Sequence, residues 1–161
     1  MNNKTKWFEQ YNRILRWYAK FKSINNGIEH NRSSECYKDE IYAFFINCYH
    51  LKDWIKNDRS LKITNIKKIV EKFIDESTSM TICRDICNGL KHLNSTHKKA
   101  SKDTRFGPCH HNLNLLGQIN PIYSAKYTII SRGKNFDAFS LATSCINEWK
   151  AFIRNKIDNS I

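Results

Sequence analysis

Apolar side chains recur at helical spacing in five separate stretches, and that recurrence restricts the chain to a mainly α fold. Residues 5–22 place Trp7, Phe8, Tyr11, Ile14, Leu15, Tyr18 and Phe21 on one stripe. From about Cys36 to Asn57 the stripe is Ile41, Phe44, Phe45, Cys48, Leu51 and Ile55, with Ile46, His50, Asp53, Trp54 and Asn57 opposite it. Thr64–Glu76 turns Ile66, Ile69, Val70, Phe73 and Ile74 inward and four charged residues outward, with Thr64 or Asn65 suited to the N-cap. A fourth helix starts from the Ser77-Thr78-Ser79 cap and ends near His92–Asn94, with Met80, Cys83, Ile86, Cys87 and Leu90 on its apolar face. The last opens at Asp137, where Phe136 and Leu141 have the spacing of a hydrophobic staple. Its stripe runs from Leu141 through Cys145, Trp149, Phe152 and Ile153 to Ile157.

The breaks are equally legible. Asn25-Asn26-Gly27 interrupts the first helix, with Ile28-Glu29-His30 as a continuation after a kink. Asn94–Asn112 reads as a long polar, basic loop with Gly107-Pro108 as a turn. Tyr123, Ala125, Tyr127 and Ile129 then alternate with polar residues, the period of a half-buried strand, with Leu113–Ile119 as its partner and Arg132-Gly133-Lys134 as a turn. The expectation is a bundle of about five helices with a small antiparallel β hairpin before the last one, forming a single domain over residues 1–161.

Composition narrows the setting. With 161 residues and a 40% apolar share, the chain can bury a core and is not disordered. The polar, basic start lacks the apolar run of a signal peptide. No apolar run approaches the roughly 18 residues that cross a bilayer, so no membrane partner is expected. The six cysteines fall mostly on helix faces, not in a disulfide framework, which points to reduced thiols in the cytoplasm. A net charge of +12 suits an anionic partner such as RNA, or simply a solvated lysine-rich surface, because the lysines are spread through every segment.

Chemistry concentrates on the fourth helix. Asp85, Asn88 and His92 form a polar stripe, with Arg84 and Lys91 at its margin. An imidazole titrating near neutral pH, oriented by a carboxylate and an amide, suits proton transfer to and from a ribose hydroxyl or a leaving oxygen. The bland reading is a stripe that bonds a neighbouring helix or faces water. Gly89 lowers helix propensity there and permits close approach of a backbone or ligand. His50 and Asp53, one turn apart, either support that site or pin two helices together. Lys98, Lys99, Lys102 and Arg105, with Lys91, form the densest basic patch, placed to carry phosphates or merely to stay soluble. Cys83, Cys87, Cys109, His110 and His111 are soft ligands, but the spacing matches no zinc knuckle, and buried small hydrophobes are the default for the two helical cysteines. No phosphate-cradling glycine loop and no serine nucleophile elbow occurs, and no metal or cofactor is expected.

Tyr49-His50-Leu51-Lys52-Asp53-Trp54, together with Asp85-Ile86-Cys87-Asn88-Gly89-Leu90-Lys91-His92, resembles small bacterial proteins near the HEPN superfamily over about residues 5–93 and, more loosely, the last helix. That resemblance implies a helical domain that is often dimeric, and a metal-independent ribonuclease of toxin–antitoxin or phage-defence systems, with RNA and an antitoxin or other protein as partners. The motif is an arginine followed by a polar residue and then a histidine. His92 matches its histidine and Asn88 its polar residue, while Cys87 stands at the arginine position and Arg84 is the nearest upstream arginine. His92 is then the acid/base, Arg84 and Lys91 hold phosphate, and Asn88 and Asp85 orient groups. The alternative is a non-catalytic HEPN-like interaction or dimerisation module, and a third reading is a small-molecule or nucleotide sensor with the His50/Asp53 and Asn88/His92 pairs as pocket walls.

Overall fold

The computed structural model describes residues 6–91, 103–115 and 119–158, with side chains for all of these but Leu90 and Lys91. Five α-helices and a four-stranded antiparallel sheet share one hydrophobic cluster. The helices are α1 (Lys6–Asn26), α2 (Ser34–Asn57), α3 (Ile66–Glu76), α4 (Thr78–Lys91) and α5 (Ala138–Phe152), the last continued by a π-helical turn at Ile153–Ile157. The strands are β1 (Ile28–Glu29), β2 (Arg105–Asn114), β3 (Ile122–Ser131) and β4 (Lys134–Asp137). The mainly α architecture with a β hairpin before the last helix is thus the one the apolar periodicities lead to.

Particular side chains and one glycine set several of the helix ends. Asp58, just past α2, caps α1 across the bundle: its Oδ2 accepts from the Trp7 N–H at 3.2 Å, while its Oδ1 accepts from the Ser60 N–H and hydroxyl. Gly27 ends α1 at φ 129°, a conformation that L side chains rarely adopt. A Cβ there would also stand 3.0 Å from the Ile122 side chain. Ile28 and Glu29 therefore do not continue the helix but pair with Tyr123 and Ile122 of β3. Asn65 takes the N-cap position of α3 without a side-chain cap bond. The Ser77 hydroxyl accepts from the Met80 N–H at the start of α4, and the Asp137 carboxylate accepts from the Ser140 N–H at the start of α5.

The sheet departs from the sequence reading. Central β3 is flanked on one edge by β2 and on the other by β1 and β4. Its long partner is Arg105–Asn114, not Leu113–Ile119, so the second half of the expected loop is a strand. β2 disguises itself because it is an edge strand: most of its side chains are exposed, and its Gly107-Pro108 forms a bulge where the register shifts between Phe106 and Cys109. Proline is tolerated at an edge bulge because no ladder donor is needed there. The tight turn Arg132-Gly133, with both residues at positive φ, joins β3 to β4 as a two-residue hairpin.

Aromatic rings bind the layers together. Tyr123 of β3 stacks on Tyr37 of α2 at 4.5 Å and on His30 at 5.2 Å. Phe106 of β2 meets Tyr42 and Phe45 of α2 edge-on. On the other side, Phe73 of α3 packs on Trp149 and Phe152 of α5, and the fully buried Trp149 donates its indole N–H to the Cys48 carbonyl at 3.1 Å. Among the described residues, no helix is long and apolar enough to cross a membrane.

Candidate functional site

Helix α4 buries the face its sequence assigns to the core: Met80, Cys83, Ile86 and Cys87 are all inaccessible or nearly so. At Arg84 and Asp85 its polar side is closed to water. Asp85 is only 2% exposed and Arg84 8% exposed, so both members of the expected polar stripe and its margin lie inside the protein, while Asn88 is half-buried. Burying such charges requires partners. The Arg84 guanidinium supplies and finds them: Nη1 donates to Asp75 Oδ1 at 2.8 Å across the α3–α4 corner, and Nε donates to Asp85 Oδ1 at 3.2 Å.

What covers Asp85 is the end of the sheet. Arg132, at the β3–β4 turn, brings Nη2 to 3.8 Å from Asp85 Oδ2. Beside it the Thr104 and Ser131 hydroxyls share a buried hydrogen bond at 2.7 Å. The Thr104 carbonyl would stand 3.8 Å from a Cβ built on Gly89. The exposed Gly89 thus faces another backbone at ordinary van der Waals distance. Arg132 and Asp75 belong to this cluster although sequence reasoning passed over them. The only signal for Arg132 was a turn, and nothing in a turn motif says that its side chain reaches a helix.

Arg84 and Arg132 open on a polar cleft of about 330 Å³, lined also by Asp75, Glu76, Ser77, Thr78 and Thr81. Two guanidinium groups meet three carboxylates, Asp75 and Glu76 in the lining and Asp85 behind it, so the cleft has no excess of positive charge. Arg132, whose side chain is 59% exposed, is the cation that reaches solvent.

The second pair stands on α2 (Ser34–Asn57), one turn apart. His50 is exposed on α2, whereas the Asp53 carboxylate pairs with Lys52 at 2.8 Å and Lys56 at 3.5 Å. Lys52 also lies over the Tyr49 ring at 4.7 Å, which makes it part of the α2 surface network. Burial pushes the Tyr49 phenol well above its ordinary range, with the Arg84 charge pulling the other way, so Tyr49 remains a neutral hydroxyl near the α4 cluster.

The soft-ligand set considered for zinc is split between core and sheet. The thiols of Cys83 and Cys87 both donate to the Phe45 carbonyl, whereas Cys109 and His111 sit on β2, where His111 Nδ1 is 2.6 Å from the Tyr123 hydroxyl. Of the basic patch, Arg105 is exposed at the start of β2. His92, Lys98, Lys99 and Lys102, together with the side chain of Lys91, lie outside the described residues.

Fold and site define a mainly α protein in which an antiparallel sheet seals the polar side of one helix with an Asp75–Arg84–Asp85–Arg132 ion-pair chain. Compared with models of protein families, with curated proteins and with solved structures, the chain gives no match.

Proposed function

We propose that this chain is a HEPN-like, RNA-binding helical domain whose fourth helix carries the residues of a metal-independent ribonuclease centre. The observation that supports this reading is the meeting of Arg84 and Arg132, from elements far apart in sequence, at Asp85 and in a polar cleft beside the N-terminal half of α4, the helix that also carries Asn88 in its last turn, four residues before His92 in the sequence. In such a centre His92 takes the proton of a ribose 2′-hydroxyl, the 2′-oxygen forms its bond to phosphorus, and the bond to the 5′-oxygen breaks as that oxygen receives a proton. Asn88 orients the reacting groups. The buried carboxylate of Asp85 fixes the guanidinium of Arg84, and Arg132, paired with Asp85 but 59% exposed, is the group that meets a phosphate oxygen from the solvent side. On this reading Lys91, Lys98, Lys99, Lys102 and Arg105 draw the RNA backbone in, two protomers pack along α4, and the protein works in the cytoplasm beside a protein antitoxin.

A second reading, a non-catalytic interaction module, draws on the burial of Arg84 and Asp85: a charge chain enclosed by α3 and the sheet end is what a structural cluster requires. Incubating the full chain with structured and single-stranded RNA in the presence of a chelator separates the two. Ribonuclease chemistry gives cleavage that persists with chelator and falls by about 10²–10⁴-fold in His92→Ala at unchanged thermal stability. Absence of both cleavage and salt-sensitive RNA binding, or a His92→Ala protein that cleaves normally, rejects the ribonuclease reading. A His92→Ala protein that loses stability but never had activity supports the module.

A further inference from the structure

Three helices distant in sequence each send one cysteine to the same point in the core. Cys48 of α2, Cys83 of α4 and Cys145 of α5 are fully buried free thiols, and their sulfur atoms all lie within 4.8 Å of one another. A single buried cysteine is adequately explained as a small hydrophobe. Three converging from three elements make a donor set. A metal ion about 2.3 Å from each sulfur needs sulfurs roughly 4 Å apart, so this spacing is compatible with coordination after small side-chain adjustments. The set is all sulfur, the combination that soft ions select and that calcium or magnesium does not.

The surroundings hold the three sulfurs in place. Cys87 lies one turn from Cys83 on α4, and its thiol donates to the Phe45 carbonyl at 3.2 Å beside that of Cys83 at 3.4 Å. The Cys145 thiol donates to the Ser79 carbonyl at 3.5 Å, and Trp149 holds the Cys48 carbonyl. These backbone contacts fix α2, α4 and α5 around the sulfurs, so the ligand positions are set by the packed bundle and not by a mobile loop.

We propose that Cys48, Cys83 and Cys145 form a core binding site for a soft divalent metal ion of the zinc class, with the three sulfurs as its protein ligands. Binding exchanges thiol protons for the ion. Loss of two protons leaves a neutral complex, and each further proton lost leaves one negative charge in the core, so uptake is favoured by rising pH. The site is independent of the ribonuclease reading, since it shares no residue with the ion-pair cleft. It ties three helices through one ion, and its effect is on the stability of the bundle.

The test uses the full reduced chain, refolded with and without Cd²⁺ so that burial does not block entry. The expected result is one ion per chain, an ultraviolet sulfur-to-cadmium charge-transfer band, and a raised thermal midpoint. The band is lost in Cys145→Ala and kept in the Cys36→Ser/Cys109→Ser double variant. Zn²⁺ displaces the band in competition. No band in the refolded wild-type chain, a band that survives in Cys145→Ala, or a band lost in the double variant overturns the proposal. If Cys145→Ala fails to fold, the double variant, in which only the four core thiols remain, decides alone.

Discussion

At the scale of single residues, identity and environment part company most clearly along α4. Asp85 and Arg84 look like surface residues by type, yet the first is 2% exposed and the second 8%, and the two are hydrogen-bonded to each other. Gly89 shows the reverse. It reads as a point of close approach, and the nearest foreign atom to a Cβ placed there is the Thr104 carbonyl oxygen at 3.8 Å, which leaves room for a methyl group. Gly89→Ala is therefore expected to stabilise the protein by about 0.5–1 kcal/mol through helix propensity, a rise of roughly 2 °C in thermal midpoint. A calorimetric midpoint that falls instead would mean that the gap over Gly89 is used. Gly107 differs from Gly89 in the same respect, because a Cβ there would come within 2.9 Å of Ile130.

At the scale of elements, the helix ends are held from outside the helix as well as within it. Asp58 is the clearest case, since it ends α2 and at the same time satisfies the first N–H groups of α1. Burial alone would raise its carboxyl, but hydrogen bonds from the Ser60 hydroxyl and from the Ser60, Trp7 and Lys6 N–H groups outweigh it and hold it below its usual value. A carboxyl lowered by folding stabilises fully above its unfolded pKa, near 4, and loses that contribution as pH falls through the lower folded value. Asp58→Ala should cost about 1–2 kcal/mol at neutral pH. The deficit relative to wild type should shrink below about pH 4. Urea denaturation of both proteins across that range checks the sign. The strands teach a different lesson: β3 is recognisable because it alternates, whereas β2 carries its polar side chains outward and a Gly-Pro bulge within, the features by which a sequence announces a loop.

At the scale of the whole molecule, the sheet does two jobs. One face packs against α2 through Tyr123 and Phe106, and its turn end closes over α4 through Thr104, Ser131 and Arg132. On the far side Trp149 joins α5 to α2 and α3. Trp149→Ala removes a fully buried indole and leaves the Cys48 carbonyl without its donor, so a loss of about 3–5 kcal/mol is expected. Equilibrium chemical denaturation measures it, and Trp149→Phe, which keeps most of the volume, should lose less. The amino-acid sequence by itself determined the five helices, most of their ends and the β3 strand, because apolar period and capping chemistry are local and survive without knowledge of neighbours. Only the tertiary structure decided that Asp85 is covered by the sheet end, that Arg84 is held by Asp75 while Arg132 reaches Asp85, and that three cysteines from three helices meet. Those facts depend on which surfaces come together, and a side chain's partner across a fold leaves no period in the chain.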